Sequence, residues 1–260
     1  MSAKTAGVWT CALRDLAGFF SRIDGAEVML RGNAVVGITG GPTADFNMAL
    51  FGDDPDEVAV FDEFLSRVKA TGVSAIAIMA GVASRRLSSV AKAKGLTEAG
   101  AAPLMVWSGK LRERPTSEFE TKRINDPGEM SVFGELAAAA FAMDRPWVDR
   151  TFAATSLLSA PGLAFYVARR GDVPMSGVCT TSAGSVCGVW TMSTPPAMQR
   201  QGAGRAVLLA AMQAELDRGA DTFYLIATAA GKPLYDKLGY ETVDELSIWL
   251  AGESSQFPVH

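Results

Sequence analysis

The chain has 260 residues, of which 48% are hydrophobic and 20% charged, and its formal net charge is −4. This length allows one large domain or two small ones, with the composition of a soluble globular protein. The negative balance disfavours a nucleic-acid partner. The single histidine is His260, so Ser-His-Asp catalysis, Cys-His catalysis and histidine-rich zinc sites are excluded.

The cysteine pattern and hydropathy indicate the compartment. Cys11, Cys179 and Cys187 are scattered, with no spacing typical of a disulfide framework or a metal site. The first residues lack a secretory signal pattern, and no apolar run has membrane-spanning length. We therefore expect a cytoplasmic protein with no metal ion and no membrane partner.

The first half of the chain is predicted to form an α/β unit, because short apolar runs alternate with amphipathic stretches that end at glycine. Its predicted elements, in chain order, are a helix at Val8–Ile23, strands at Glu27–Arg31, Val35–Thr39 and Phe46–Phe51, a helix at Glu57–Ala70, a strand at Ala75–Ala80, a helix at Arg85–Ala93 and a strand at Ala102–Trp107.

A charged, proline-containing segment at Lys110–Glu118 separates this half from the next. We place a boundary near residue 115 and predict domains at 1–112 and 113–260.

The second half repeats the order of the first. Its helix after Asp126-Pro127 has an N-cap residue followed by proline at the first helical position. The predicted elements are a strand at Phe119–Ile124, helices at Pro127–Met143 and Pro146–Leu158, strands at Leu163–Arg169, Met175–Thr180 and Val186–Met192, a helix at Arg205–Arg218, a strand at Thr222–Ala227, a helix at Lys232–Lys237 and a strand at Val243–Leu250.

Glycines punctuate the two halves in the same way. Gly72 and Gly219 end the long helices, and Gly95 and Gly239 end the short ones. Chance similarity between two α/β halves is the alternative explanation. The pattern favours two copies of one unit, each a twisted mixed sheet flanked by helices, which is a mixed-sheet α/β fold.

One segment of the second half is suited to binding phosphate. An apolar strand ends at two prolines and is followed by a basic loop with Gly202-x-Gly204, and a helix begins at once. Glycines allow a close approach of the backbone, and the free N–H groups of a first helical turn attract anions. The sequence therefore predicts a phosphate-binding loop.

This loop resembles the acyl-CoA loop of the GNAT superfamily of N-acetyltransferases. The resemblance begins with Thr194-x-Pro196, continues through Gln199-x-x-Gly202-x-Gly204, and includes the downstream segment Pro233–Tyr240 with its Leu-Tyr-x-Lys-x-Gly-aromatic pattern. Together these motifs cover about Phe119 to Leu250. The resemblance implies acetyl-CoA as the donor.

The resemblance also implies which residues contact the donor. The strand before the loop would splay from its neighbour and pair with the pantetheine arm, and a backbone N–H near Met192 would polarise the thioester carbonyl. Gln199 would cap the loop, and backbone N–H groups with arginine side chains would hold the pyrophosphate. The implied contact residues are Met192, Ser193, Thr194, Gln199, Arg200, Gln201, Gly202, Ala203, Gly204, Arg205 and Thr228.

Tyr235 matches the tyrosine that commonly protonates the departing thiolate in this family. A phenol with a pKa near 10 is protonated at neutral pH and is able to donate to a thiolate. The alternative is a tyrosine that packs its helix against the sheet. We predict the catalytic role.

Three departures from the family pattern affect the site. Thr228 replaces a frequent asparagine, Gly231 replaces alanine, and the strand Val186–Met192 carries no carboxylate to serve as base. Candidate bases in the helical region are Glu135, Asp144 and Asp149, although each is more typical of a surface charge. A water relay and an already neutral amine remain open alternatives.

The first half lacks the basic glycine loop and the tyrosine of the second half. Gly52–Glu57 has four acidic residues where the basic loop would stand, and Ala91 occupies the position of Tyr235. Such a loop would repel pyrophosphate. We therefore expect a degenerate copy without CoA binding.

The predicted function is direct transfer of an acetyl group from acetyl-CoA to a primary amine of a small molecule, by a monomer or homodimer. The alternative is a non-catalytic acyl-CoA-binding or sensor protein. A dinucleotide-dependent oxidoreductase is disfavoured, because Val207 stands where its fingerprint needs glycine or alanine.

Overall fold

A computed structural model of the chain describes residues 3–111, 113, 118–153 and 155–252. The chain divides into two compact units, residues 1–105 with 226–260 and residues 106–225. This division differs from the predicted domains 1–112 and 113–260, because the chain from Ile226 onward belongs to the first unit. The predicted boundary near residue 115 lies outside the described residues.

The first unit combines helices with a mixed sheet. Its strands follow the order β1-β2-β3-β4-β11-β5; β3 pairs in parallel with β4, while the pairs β1/β2, β2/β3 and β4/β11 are antiparallel. The elements are α1 (Ala3–Phe20), β1 (Glu27–Arg31), β2 (Ala34–Ile38), β3 (Asn47–Phe51), α2 (Glu57–Thr71), β4 (Ala75–Met79), α3 (Gly81–Ala93), β5 (Thr97–Ser108), α8 (Lys232–Leu238) and β11 (Glu241–Ala251), with a 3-10 turn at Ala44–Phe46.

Helix α2 shows how the sequence builds this unit. Its Phe61 and Phe64 lie on one face, are fully buried, and pack edge-to-face on Phe51 of β3. Burial of each such ring contributes about 1.5–3 kcal/mol. The helix ends at Gly72, whose φ of 67° is left-handed and whose N–H donates to Val68 O at 2.9 Å.

Strand β11 is the main departure from the predicted organisation. It was assigned to the second domain, but it pairs with β4, and Trp249 opposite Ala77 joins the buried core of the first unit. Pairing between residues so far apart in the chain has no local sequence signal. Strands β5 and β10 each pass from one unit into the other, at Val106 and Ile226.

The second unit contains a sheet with strand order β10-β9-β8-β7-β6. The pairs β6/β7, β7/β8 and β8/β9 are antiparallel, and β9/β10 is parallel. Its elements are β6 (Glu120–Arg123), α4 (Pro127–Phe141), α5 (Arg145–Phe152), α6 (Thr155–Leu158), β7 (Leu163–Arg170), β8 (Val173–Ala183), β9 (Val186–Ser193), α7 (Ala203–Leu216) and β10 (Thr222–Ile226), with a 3-10 turn at Pro196–Met198.

Two helix predictions in this unit have different outcomes. The Asp126 carboxylate accepts from Glu129 N at 3.0 Å, so the predicted N-cap of α4 is confirmed. The prediction of one helix over Pro146–Leu158 is wrong, because the described residues form two helices, α5 and α6. Residue 154 between them lies outside the described part of the chain.

Helix α7 is tied to β7 and β8 by a buried carboxylate that sequence reasoning missed. Glu215 is 3% exposed and accepts hydrogen bonds from Tyr166 (2.9 Å), Thr180 (3.1 Å), Ser182 (2.8 Å) and Arg218 (2.8 Å). Burial raises the pKa of Tyr166 to about 12. These donors offset the cost of burying the charge and fix α7 on the sheet.

Candidate functional site

Strand β9 leaves its parallel neighbour before it ends. The register with β10 covers Val186–Gly188 opposite Thr222–Tyr224, whereas β9 continues to Ser193. Among the described residues, no strand pairs with Val189–Ser193 on the β10 side. A strand edge of this kind presents backbone N–H and C=O groups to which an extended ligand is able to pair.

A bulge deforms β9 at the same place. Gly177 pairs with Ser193 and Cys179 with Trp190, so two residues of β9 stand opposite one residue of β8. Thr191 within the bulge has a φ of 46°, a conformation that β-branched residues rarely adopt. Because such strain persists only where surrounding contacts impose it, it marks this segment as a candidate functional position.

Hydroxyl groups hold the end of β9 in place. Ser176 Oγ donates to Ser193 O at 2.9 Å and lies 2.7 Å from Thr194 Oγ1. Ser193 is fully buried and donates through its own hydroxyl to Gly177 O at 3.4 Å. The backbone of the predicted contact residues Ser193 and Thr194 is therefore fixed by side-chain hydrogen bonds from within this unit.

Trp190 lies just before the bulge. Its indole N–H donates to Thr181 Oγ1 at 2.9 Å, and its ring packs edge-to-face on Tyr224. A Cβ on Gly188 would meet the polar atoms of all three side chains within 2.7 Å. The indole is therefore held in one orientation where β9 and β10 separate.

The loop after β9 is braced by its own side-chain amides. Gln199 Nε2 donates to Thr194 O at 3.2 Å, and Gln201 Nε2 donates to Ala197 O at 3.1 Å. Arg200 and Gly202 both have positive φ, 59° and 90°. Among the described residues, no hydrogen bond is donated by the backbone N–H groups from Arg200 to Arg205.

Gly204 allows the first turn of α7 to lie against β9. A Cβ at this position would stand 3.1 Å from both Met192 Cε and Thr194 Oγ1. A side chain here would require Met192 and Thr194 to shift by a few tenths of an ångström. Unbonded N–H groups at the positive end of a 14-residue helix, next to a free strand edge, fit a phosphate-bearing ligand.

The arginines near the loop differ in their surroundings. Arg205, predicted to contact phosphate, forms an ion pair with Glu113, and Arg200 is exposed without an ion pair among the described residues. Arg170 was missed, although its Nη1 donates to Gln201 Oε1 at 2.9 Å. No sequence spacing links residues 31 positions apart, so this contact is seen only in the folded chain.

Thr228 and Tyr235 lie in the first unit. Thr228 Oγ1 accepts from Gly231 N at 3.1 Å, just before α8 begins. A Cβ on Gly231 would stand 3.1 Å from Tyr235 Cε2 and 3.3 Å from Thr228 Oγ1. Glycine at position 231 therefore leaves room for both side chains.

The phenol of Tyr235 is buried beside the ring of Tyr240. The residue is 6% exposed, the two rings pack edge-to-face, and no hydrogen bond within the described residues involves the Tyr235 hydroxyl. Burial raises its pKa to about 12. With no partner among the described residues, this hydroxyl is available to hydrogen-bond to a ligand.

The three candidate bases make local contacts. Asp144 accepts from Trp147 N at 2.9 Å and caps α5, while Glu135 and Asp149 both pair with Arg145. Strand β9 carries no carboxylate. Among the described residues, no group of three or more His, Cys, Asp or Glu side chains is arranged to hold a metal ion.

Comparison with known proteins gives a family match. Residues 161–242 match the family model described as acetyltransferase (GNAT) domain. No curated protein sequence matches the chain significantly. Within the described residues, no helix is long and apolar enough to span a membrane.

Several solved structures share the fold. A GCN5-related N-acetyltransferase from Kribbella flavida has 19% identity and a TM-score of 0.70, with 96% of each chain covered. One from Sphaerobacter thermophilus has 11% identity and a TM-score of 0.58, covering 95% of this chain and 93% of that one. A tandem GNAT protein from the clavulanic acid biosynthesis pathway has 11% identity and a TM-score of 0.57, covering 97% and 96%. The chain therefore has the fold of GCN5-related N-acetyltransferases, and its residues 161–242 resemble an acetyltransferase (GNAT) domain.

Proposed function

We propose that the protein transfers an acetyl group from acetyl-CoA directly to a primary amine of a small molecule. The observation that carries this proposal is the strand edge of β9 beyond Gly188, which runs through a bulge into a loop whose N–H groups are unbonded among the described residues. This arrangement offers strand pairing to a pantetheine arm and a positive helix end to a pyrophosphate.

The proposed donor contacts are mainly backbone groups. The edge at Met192, Ser193 and Thr194 would pair with pantetheine, and the N–H groups from Arg200 to Arg205 would hold phosphate oxygens. Acetyl-CoA supplies the acetyl group as an activated thioester. A backbone N–H near Met192 would stabilise the oxyanion that develops on the thioester carbonyl.

Tyr235 is the proposed general acid. Direct transfer forms an amide C–N bond and breaks the thioester C–S bond. The amine nitrogen releases a proton to water, and the departing thiolate takes up a proton. The raised pKa of about 12 keeps the phenol protonated at neutral pH, and its hydroxyl has no competing partner among the described residues.

We further propose that the two halves are tandem copies, of which the first has lost CoA binding. In each half, an antiparallel strand pair is followed by a helix and a parallel strand: β2-β3-α2-β4 and β8-β9-α7-β10. At the start of α2, Glu57 is buried and paired with Arg86, which also contacts Asp53. Carboxylates thus fill the position where the second half has its loop.

The absence of a carboxylate on β9 supports a second candidate function, a non-catalytic acyl-CoA sensor. Thiol release from acetyl-CoA with a panel of primary amines separates the two functions. We expect amine-dependent release, with kcat much reduced in Tyr235→Phe and CoA affinity nearly unchanged.

Tyr240→Phe is the matched control, because it removes a hydroxyl from the adjacent ring. CoA binding without thiol release for any amine would favour the sensor. Equal turnover of Tyr235→Phe and the wild type would refute the acid role.

A further inference from the structure

Arg170 ends β7 beside the glycine loop, and no motif of the family assigns it a role. Its Nη1 donates to Gln201 Oε1 at 2.9 Å, and its Nη2 lies 3.5 Å from Gln201 O. Both acceptors belong to the loop whose neighbouring N–H groups are unbonded among the described residues. The guanidinium is thus a positive charge in direct contact with the loop.

Phe119 positions this guanidinium. The Arg170 guanidinium carbon lies 4.8 Å from the centre of the Phe119 ring, and the same ring would lie 3.5 Å from a Cβ on Gly202. Phe119 is 5% exposed, so its ring is a fixed support. Stacking on an aromatic face restricts a long side chain and favours one orientation of its planar donors.

A carboxylate already pairs with the Arg170 guanidinium. Nη2 of Arg170 donates to Glu118 Oε1 at 2.6 Å, with both side chains substantially exposed. Arg205, which follows Gly202 in the sequence, is likewise paired with Glu113. Two arginines next to the loop therefore each face a carboxylate from the segment that precedes β6.

Arg170 has the capacity to bind a further anion. A guanidinium has five N–H donors, and the contacts to Gln201 and Glu118 use only Nη1 and Nη2. Phosphate has more charge and more acceptor oxygens than a carboxylate, so it competes effectively for an exposed guanidinium.

We propose that Arg170 is a phosphate ligand for the CoA donor, and that Glu118 pairs with its guanidinium until the phosphate takes that place. This inference rests on the proposed function. It predicts opposite effects for two variants, because Arg170→Gln removes a ligand whereas Glu118→Gln removes a competitor.

The test is calorimetric titration of the full chain with CoA at low salt. We expect the Kd of Arg170→Gln to rise about tenfold, as for one lost charge-assisted hydrogen bond. We expect the Kd of Glu118→Gln to fall about two- to threefold, since exposed ion pairs are weak. Arg123→Gln is the matched control, because it loses the same charge at an exposed residue of β6. Arg123 pairs with Tyr166 of β7, so it lies about 13 Å from Arg170 along the strand direction.

A second ligand, pantetheine, lacks the phosphates and keeps the arm. Its affinity is expected to be equal in Arg170→Gln and the wild type, and an equal loss for both ligands would show a structural change that reaches the β9 edge and overturn the assignment. Unchanged CoA affinity in Arg170→Gln would also overturn it, and weaker binding in Glu118→Gln would overturn the exchange. Failure of the wild type to bind CoA would contradict the proposed function, and with it this inference.

Discussion

Substitution of Gly202 by alanine tests the proposed phosphate-binding loop at a residue with a left-handed backbone conformation. Gly202 is the N-cap of α7 and has φ 90° and ψ −12°. An L-residue in a left-handed conformation costs about 1–2 kcal/mol. The added Cβ would lie 3.5 Å from Phe119, an ordinary contact, so the expected penalty comes from the backbone alone.

This penalty should appear both in stability and in affinity. We expect the free energy of unfolding of Gly202→Ala to fall by about 1–2 kcal/mol. If the loop relieves the strain by leaving its conformation, the N–H groups lose their arrangement, and a penalty of about 1.4 kcal/mol corresponds to a tenfold weaker Kd for CoA. Denaturant titration and calorimetry measure the two quantities.

Gly219 provides the matched control at the other end of the same helix. Its φ is 102°, and a Cβ there would meet nothing within 4 Å. Gly219→Ala should lose similar stability and keep the wild-type affinity for CoA. The reasoning fails if Gly202→Ala is destabilised to the same extent and still binds CoA as tightly as the wild type.

Three further predictions concern other parts of the chain. Glu215→Gln should lower the free energy of unfolding by about 1–3 kcal/mol, measured by denaturant titration, whereas a similar loss in the exposed control Asp217→Asn would contradict the network's role. A fragment of residues 113–260 lacks β4, the partner of β11 and of buried Trp249; its Tm should be lower than that of the full chain, and an unchanged Tm would refute this. Folding raises the pKa of Tyr235 from 10.0 to about 12, so its contribution to stability is complete below pH 10 and is lost between pH 10 and 12. The difference in tyrosinate absorbance between the wild type and Tyr235→Phe should therefore develop near pH 12. A difference centred near pH 10 would contradict the burial of Tyr235.

Local sequence signals predicted most elements to within a few residues. Proline, glycine and capping residues act on their immediate neighbours, so α2, α4 and β9 could be placed from the sequence. The glycine loop could be predicted for the same reason, because its proposed chemistry depends on consecutive backbone groups.

Contacts between distant residues could not be predicted in this way. The pairing of β11 with β4 joins residues about 170 positions apart, and nothing in either strand specifies the partner. Arg170 and Phe119 approach the loop only when β7 and the segment before β6 are folded. Glu215 reads as one more charge on α7 until hydroxyls from β7 and β8 surround it.

The stoichiometry of CoA binding tests the central claim most directly. The basic glycine loop occurs once in the sequence, at Gly202, and the acidic segment Asp53–Glu57 stands at the equivalent position of the proposed first copy. Calorimetric titration of the full chain with CoA should therefore give one site per chain, and that site should be weakened in Gly202→Ala. Two sites per chain, or no binding, would contradict the account.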